Sequence, residues 1–336
     1  MRVGFDVSPL QAPHPHGVVR VVAGLVGALE RRGQLEVVRL SAPAGMGSAR
    51  WRQVELPRAA SRLGLVGIHT LVSAFPLRGP GRRIATIHEL PWLHGERENA
   101  GWRHRLWARL GPRRADLIVT ATERTARDVR LYSGAASERV RVVPWGVDAA
   151  FSGAADPRDA QVLARHGLAP RGYLLCAGGG RAKKRPEAAL AAAVELARRG
   201  GPRLPVVVTG PVEPPVAALG GLACVGEVTD AALAALYAEA GAVLLLARSE
   251  GFGLPALEAL ACGAPVVVAR GGAQAEVAGE VGLVADPADP ASVALAIERA
   301  LASTAAECVA RRARAAAFSW ERSAALVEAL WAELCA

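Results

Sequence analysis

"AVLLLARSEGFGLPALEALACGAPVVVA", residues 242–269, sets two apolar runs on either side of a glycine-rich turn and a stretch of helical spacing. The runs AVLLLA and APVVVA are too uniformly apolar to face water, which is the pattern of strands in a parallel sheet covered on both sides. The turn between them reads as a helix start. Gly251 and Gly253 carry no Cβ, and Pro255 suits the first helical position, where its missing N–H costs nothing. Such a start offers free amides to an anion, yet Glu250 and Glu258 lie eight positions apart around it. A ligand with phosphates in the middle and hydroxyl-bearing rings at both ends resolves the conflict, because carboxylates only accept hydrogen bonds and a vicinal diol supplies two donors. A nucleoside diphosphate sugar fits that description. The competing reading of Glu258 is purely structural: an acid placed favourably against the helix dipole.

Outward from this unit the alternation continues. Short apolar runs at 173–177, 204–210, 222–226 and 281–286 are separated by helical patterns that start at Pro186, Thr229-Asp230 and Asp289-Pro290. The second half is thus expected to be one doubly wound α/β domain. The first half reads similarly, with strands expected at 2–7, 35–40, 83–90, 115–121 and 140–144 and a helix at about 18–32. The segment 41–82, rich in Gly, Pro and Arg, receives no assignment. A polar stretch ending near residue 171 reads as the linker. Two facing domains of this kind leave a cleft at the carboxyl ends of their strands, where ligands of such sheets bind.

The 336 residues are 51% hydrophobic and 21% charged, enough for two domains with their own cores. The start MRVGFDVSPL has no signal-peptide pattern and no stretch reaches membrane-span length, so a cytoplasmic location is expected, with the inner face of the membrane as an option. Cys176, Cys224, Cys262, Cys308 and Cys335 are scattered without C-x-x-C spacing, which argues against a disulfide framework or a zinc site. No metal constellation and no Ser-His-Asp or Cys-His pattern is evident, so no metal or other cofactor is expected. Residues 1–150 hold 23 Arg against 12 acids; either this half faces something anionic, or the excess follows from an Arg-rich composition. Of 40 basic residues only Lys183 and Lys184 are lysines, in "GGGRAKKRPE". A position that keeps Lys where Arg serves elsewhere calls for a compact ammonium on a flexible stem.

The run E-G-F-G-L-P-x-L-E-A-x-A-C-G-x-P-V-V resembles the signature of retaining glycosyltransferases of the GT-B fold, glycosyltransferase family 4. The likeness extends through "GGAQAEVAGEVGLVADP" (271–287), with Glu276, Gly279, Asp286 and Pro287 in step, and to "ATIHEL", "ADLIVTATERTARDV" and "VRVVPWGVD" in the first half. The resemblance implies two Rossmann-like domains: residues 1–155 on the acceptor side, with a C-terminal helix at 319–336 packing back on it, and 170–318 for the nucleotide sugar. It implies that Glu258 holds the ribose and Glu250 the transferred sugar. The amides of Gly251, Phe252, Gly253 and Leu254 then meet the diphosphate, and Lys184 contacts the phosphates. Arg181 stands in for a family Arg whose own position is Gly179 here, His88 faces the donor sugar, and Gly17 and Arg20 belong to the acceptor-side loop. The departures are Val19 for the second glycine of that loop, Glu89 for Asp, Thr122 for Ser and Trp145 for Asn.

By this resemblance the chain moves a sugar with retention onto a hydroxyl of a sugar, lipid-linked or small-molecule acceptor, in glycan, polysaccharide or glycolipid synthesis. The alternatives are a catalytically silent nucleotide-sugar-binding subunit, which Val19 makes conceivable, and a GT-B sugar-nucleotide epimerase. A nicotinamide dehydrogenase is excluded, because "SPLQAPHPHG" (8–17) stands where G-x-G-x-x-G is needed. The stretch "NAGWRHRLWARLGPRR" (99–114) reads as a helix with Trp102, Leu106 and Leu110 on one stripe, flanked by Arg103, Arg105, Arg109, Arg113 and Arg114. That stripe either meets an anionic membrane or lipid phosphate, or packs on the first sheet. No nucleic-acid-binding signature accompanies the charge.

Overall fold

The alternating runs form two six-stranded parallel sheets, each flanked by helices. A computed structural model of the chain describes residues 1–12, 17–96, 101–151 and 159–336. Part of the expected linker, the first two residues of the 99–114 stretch and residues 13–16 before Gly17 lie outside the described residues. The chain divides into two units, Met1–Gly146 with Phe318–Ala336, and Val147–Ala317.

In the first unit β1 (Arg2–Asp6), β2 (Glu36–Leu40), β3 (Gly67–Thr70), β4 (Arg82–Thr86), β5 (Leu117–Thr120) and β6 (Val140–Val142) lie in the order β2-β1-β3-β4-β5-β6. The inner strands β3 and β5 are buried along their whole length, whereas the edge strand β2 is half-exposed, as covered central strands require. Five of these strands fall on the expected apolar runs. The sixth, β3, lies in the unassigned segment, because "GIHT" is neither uniformly apolar nor alternating. Its first position is glycine for a packing reason: a Cβ on Gly67 would sit 2.7 Å from the ring of Trp331 and 2.3 Å from the Arg82 carbonyl oxygen.

Trp331 belongs to the C-terminal helix Trp320–Cys335, which packs on helix Gly17–Arg32. The ion pairs Arg31–Glu321 and Arg32–Glu328, both 2.8 Å, join the two helices. Ser319 starts the terminal helix by accepting from the Arg322 N–H at 3.1 Å. In the sheet order, β1 is flanked by β2 and β3, so the switch point of the unit, where ligands of open α/β sheets bind, lies beyond the carboxyl ends of β1 and β3.

The second unit holds β7 (Leu174–Cys176), β8 (Val206–Thr209), β9 (Leu222–Gly226), β10 (Ala242–Leu245), β11 (Val266–Ala269) and β12 (Leu283–Ala285). All six fall on the expected runs, and their order is β9-β8-β7-β10-β11-β12 read from one edge. The first three strands build outward from β7 on one side and the last three from β10 on the other. The switch point is therefore between β7 and β10, and it directs attention to the loops that follow those two strands.

Candidate functional site

The loop after β7 runs through Gly178–Gly180 into a single helical turn, Ala182–Lys184, before Arg185 enters the left-handed region at φ 60° and Pro186 opens helix Pro186–Arg198. Its backbone is held from β8 and the segment beyond it. The Gly178 N–H donates to Thr209 Oγ1 at 2.9 Å, the Glu213 N–H to the Gly180 carbonyl at 2.7 Å, and the Ala182 N–H to Glu213 Oε2 at 2.9 Å. Arg181 lies 3.9 Å from the Glu213 carboxylate. The flexible lysine stem thus leaves a fixed base.

After β10 the chain turns through Ser249–Glu250–Gly251–Phe252 and enters helix Leu254–Ala261. Gly253 has φ 95° and ψ 50°, a conformation that L side chains rarely adopt, and it is what allows the helix to start so close to the strand end. Pro255 occupies the first helical turn, as its lack of an N–H permits. Glu250 lies on the turn before the helix and Glu258 one turn inside it.

At the switch point the two loops meet: Lys184 Nζ lies 2.6 Å from Glu250 Oε1, with only 16% and 14% of the two side chains exposed. Burial raises the Glu250 carboxyl, but Lys184, Lys183 and Arg181 together pull harder in the other direction, and the net position is below the usual carboxylate range. The Glu250 carboxyl is therefore ionised at neutral pH. The family resemblance assigns Lys184 to phosphates and Glu250 to a sugar; the structure joins the two to each other. Glu258 is buried, 6% exposed, and accepts a hydrogen bond from the hydroxyl of Tyr237 at 3.1 Å. Tyr237, wholly buried in helix Asp230–Ala238, packs edge-on against Phe151. At the end of β7 the buried Cys176 thiol is pushed up to about 12, by burial first and by Glu187 second, so it stays protonated at neutral pH.

In the first unit, His88 lies two residues past the end of β4, and its Nε2–H donates to the Leu71 carbonyl at 2.9 Å, which fixes the tautomer. The buried Trp145, at the position of the family Asn, flanks the His88 ring at 6.1 Å between centroids. Thr125 Oγ1 donates to the His88 carbonyl at 3.4 Å. Gly17 and Arg20 lie in the first turn of helix Gly17–Arg32 and not on a loop, because Val18, Val19 and Arg20 offer no break and the buried stripe Val21, Val22, Leu25, Val26 and Leu29 carries the helix back to Gly17. Val19 is half-buried within that helix.

The stripe of helix Trp102–Leu110 faces outward. Trp102 is 70% exposed, Leu106 46% and Leu110 40%, so the expected alternative in which it packs on the sheet does not hold. Three partners escaped the sequence: Tyr237 for Glu258, Glu213 for the Lys184 loop, and Gln274, whose buried side chain lies against Gly253. The only prior signal was for Tyr237, one of three tyrosines in the chain.

Two doubly wound parallel sheets, with a glycine-started helix at a switch point and an acidic pair around it, are the architecture of GT-B glycosyltransferases. Residues 165–317 match the family described as Glycosyl transferases group 1, and residues 43–151 match Glycosyltransferase Family 4. A D-inositol 3-phosphate glycosyltransferase from Frankia alni is 35% identical over 293 residues, covering 79% of this chain and 68% of that one. One from Salinispora arenicola is 37% identical over 237 residues, covering 62% and 53%. The chain belongs to this glycosyltransferase family. It spans about half the length of the first curated relatives it matches. Among solved structures, sucrose-phosphate synthase from Thermosynechococcus elongatus superposes with a TM-score of 0.77 at 19% identity, over 99% of this chain and 98% of that one. Anabaena HepE in complex with UDP-glucose does so with 0.75 at 15%, over 99% and 100%.

Proposed function

We propose that the chain is a retaining glycosyltransferase that moves a sugar from a nucleoside diphosphate sugar to an acceptor hydroxyl. The observation that carries this reading is the meeting of Lys184 and Glu250 at the β7/β10 switch point, beside the amides of Gly251–Leu254 and one helical turn from Glu258. The diphosphate takes the helix-start amides and draws Lys184 from Glu250; Glu250 then accepts from sugar hydroxyls and Glu258, steadied by Tyr237, from the ribose. The family resemblance assigns His88 to the donor sugar.

Positioning and charge supply the catalysis. As the anomeric carbon becomes cation-like, Lys184, the amides and Arg181 stabilise the departing diphosphate. The acceptor hydroxyl attacks from the leaving-group side, and the departing phosphate takes its proton, so configuration is kept. No group of three His, Cys, Asp or Glu side chains able to hold a metal occurs among the described residues; metal independence is part of the proposal. The excess of Arg in residues 1–150 suits an acceptor bearing phosphate, small or lipid-linked. The HepE structure with UDP-glucose supports the donor class.

We also propose that helix Trp102–Leu110 lies on an anionic membrane face. Its apolar stripe is exposed, and Arg105, Arg109, Arg113 and Arg114 are exposed around it. No helix among the described residues is long and apolar enough to cross a membrane.

The test is release of free nucleotide from UDP- and GDP-sugars with sugar, sugar-phosphate and lipid-phosphate acceptors, in the presence of chelator, with the anomeric configuration of the product read by NMR. Lys184→Ala should lower turnover roughly 100- to 1,000-fold, the scale of losing one preorganised electrostatic donor. Unchanged turnover removes Lys184 from the mechanism, and an inverted product removes retention. Donor binding with no turnover on any acceptor favours the silent subunit, and conversion of the donor without acceptor favours the epimerase.

A further inference from the structure

Gln274 is the second residue of helix Ala273–Ala278, which follows β11, the strand next to β10. Its side chain is 1% exposed, and neither Oε1 nor Nε2 has a hydrogen-bond partner. It lies against the turn that opens helix Leu254–Ala261: a Cβ on Gly253 would sit 2.6 Å from Gln274 Cγ and 3.2 Å from its Cα. A buried amide with no partner destabilises the fold that contains it, and a leucine would fill the space without that cost. Its presence beside the candidate diphosphate turn points to a second state in which the amide is satisfied.

Peptide geometry says what that state is. In a planar trans peptide the N–H and C=O point in opposite directions, so a turn whose N–H groups face an anion outside directs carbonyl oxygens inward. Gln274 lies against the Gly253 backbone and carries two N–H donors, while the Gly253 carbonyl itself already accepts from the Ala256 and Leu257 N–H groups. We propose that Gln274 is a positioning residue for the diphosphate turn: its Nε2–H groups donate to carbonyl oxygens of the turn ahead of Gly253 once a diphosphate has drawn the Gly251–Leu254 amides outward. It acts through the turn and does not touch the ligand. This inference rests on the reading of residues 251–254 as the diphosphate site.

The experiment compares Gln274→Leu and Gln274→Met, which keep bulk without donors, and Gln274→Glu, which keeps length and acceptors without donors. Calorimetry measures binding of UDP and GDP, and of uridine and guanosine as phosphate-free probes; thermal unfolding is followed without ligand. All three variants should bind the nucleoside diphosphate roughly two- to tenfold more weakly, the scale of one net hydrogen bond, with nucleoside affinity unchanged. The ligand-free Leu or Met variant should unfold at or above the wild-type temperature, because no hydrogen bond is lost in that state. Wild-type diphosphate affinity in the variants, equal weakening of nucleoside and diphosphate, or lowered ligand-free stability in both Leu and Met variants would overturn the proposal. If wild type binds neither diphosphate, the diphosphate reading falls with it. If wild type binds and Lys184→Ala weakens binding while the Gln274 variants match wild type, only the Gln274 role falls.

Discussion

Removing Lys184 should make the stability of the second unit depend on pH in a new way. Glu250 is 14% exposed and its closest cation is the Lys184 ammonium at 2.6 Å. Truncating one member of a buried pair costs about 3–5 kcal/mol, and the residual exposure together with the pull of Lys183 and Arg181 brings the expected loss for Lys184→Ala to about 2–3 kcal/mol. For a unit the size of Val147–Ala317 that is a fall in Tm of roughly 4–12 °C. The wild-type Glu250 carboxyl lies below its usual range, so its contribution is present above that range and lost as pH falls through the lowered value. In Lys184→Ala the burial contribution meets a weaker opposing pull and the carboxyl moves up, so protonation relieves the strain. The difference in Tm between wild type and variant should be large at pH 7 and should narrow towards pH 4. Glu250→Gln leaves a lysine free to reach water and should cost less, with little pH dependence. Calorimetric unfolding of the two single variants and the double variant at both pH values reads the coupling directly. An equal loss at pH 4 and pH 7, or a double variant that is simply additive, refutes the reasoning.

Tyr237→Phe deletes the hydroxyl that steadies Glu258 at 3.1 Å; one net hydrogen bond contributes about 0.5–1.5 kcal/mol, so nucleoside affinity by calorimetry should fall roughly two- to tenfold, and unchanged affinity would separate Glu258 from the ribose. Wild type should sediment with vesicles containing phosphatidylglycerol and not with neutral ones, and Trp102→Ser combined with Arg109→Glu should abolish this; equal recovery of wild type and variant with the anionic vesicles would remove the helix from any membrane role.

Most of the fold was legible because eleven of the twelve strands among the described residues are local apolar runs whose character does not depend on distant residues. The exception, β3, carries Gly67, His69 and Thr70, and its glycine is dictated by Trp331, far away in sequence. Burial pushes His69 down to about 3, so it is a neutral core residue on that strand. The site divides in the same way. The turn at 250–255 and Lys184 are recognisable because glycine conformation, helix start and charge are written in consecutive residues. The Lys184–Glu250 pair, 66 positions apart, and the Tyr237–Glu258 bond, 21 apart, arise only when the sheet brings separate loops together. The helical stripe at Trp102, Leu106 and Leu110 was readable from its spacing, but its direction was not, since periodicity shows which residues share a face and not what that face meets.

The most direct measurement is a crystal structure of the protein with a bound nucleoside diphosphate sugar. The diphosphate should rest on the amides of Gly251–Leu254 with Lys184 Nζ turned from Glu250 towards it, and with Glu250 and Glu258 on hydroxyls of the two rings. A ligand seated elsewhere, or one bound while the Lys184–Glu250 pair stays closed across the turn, would contradict the account.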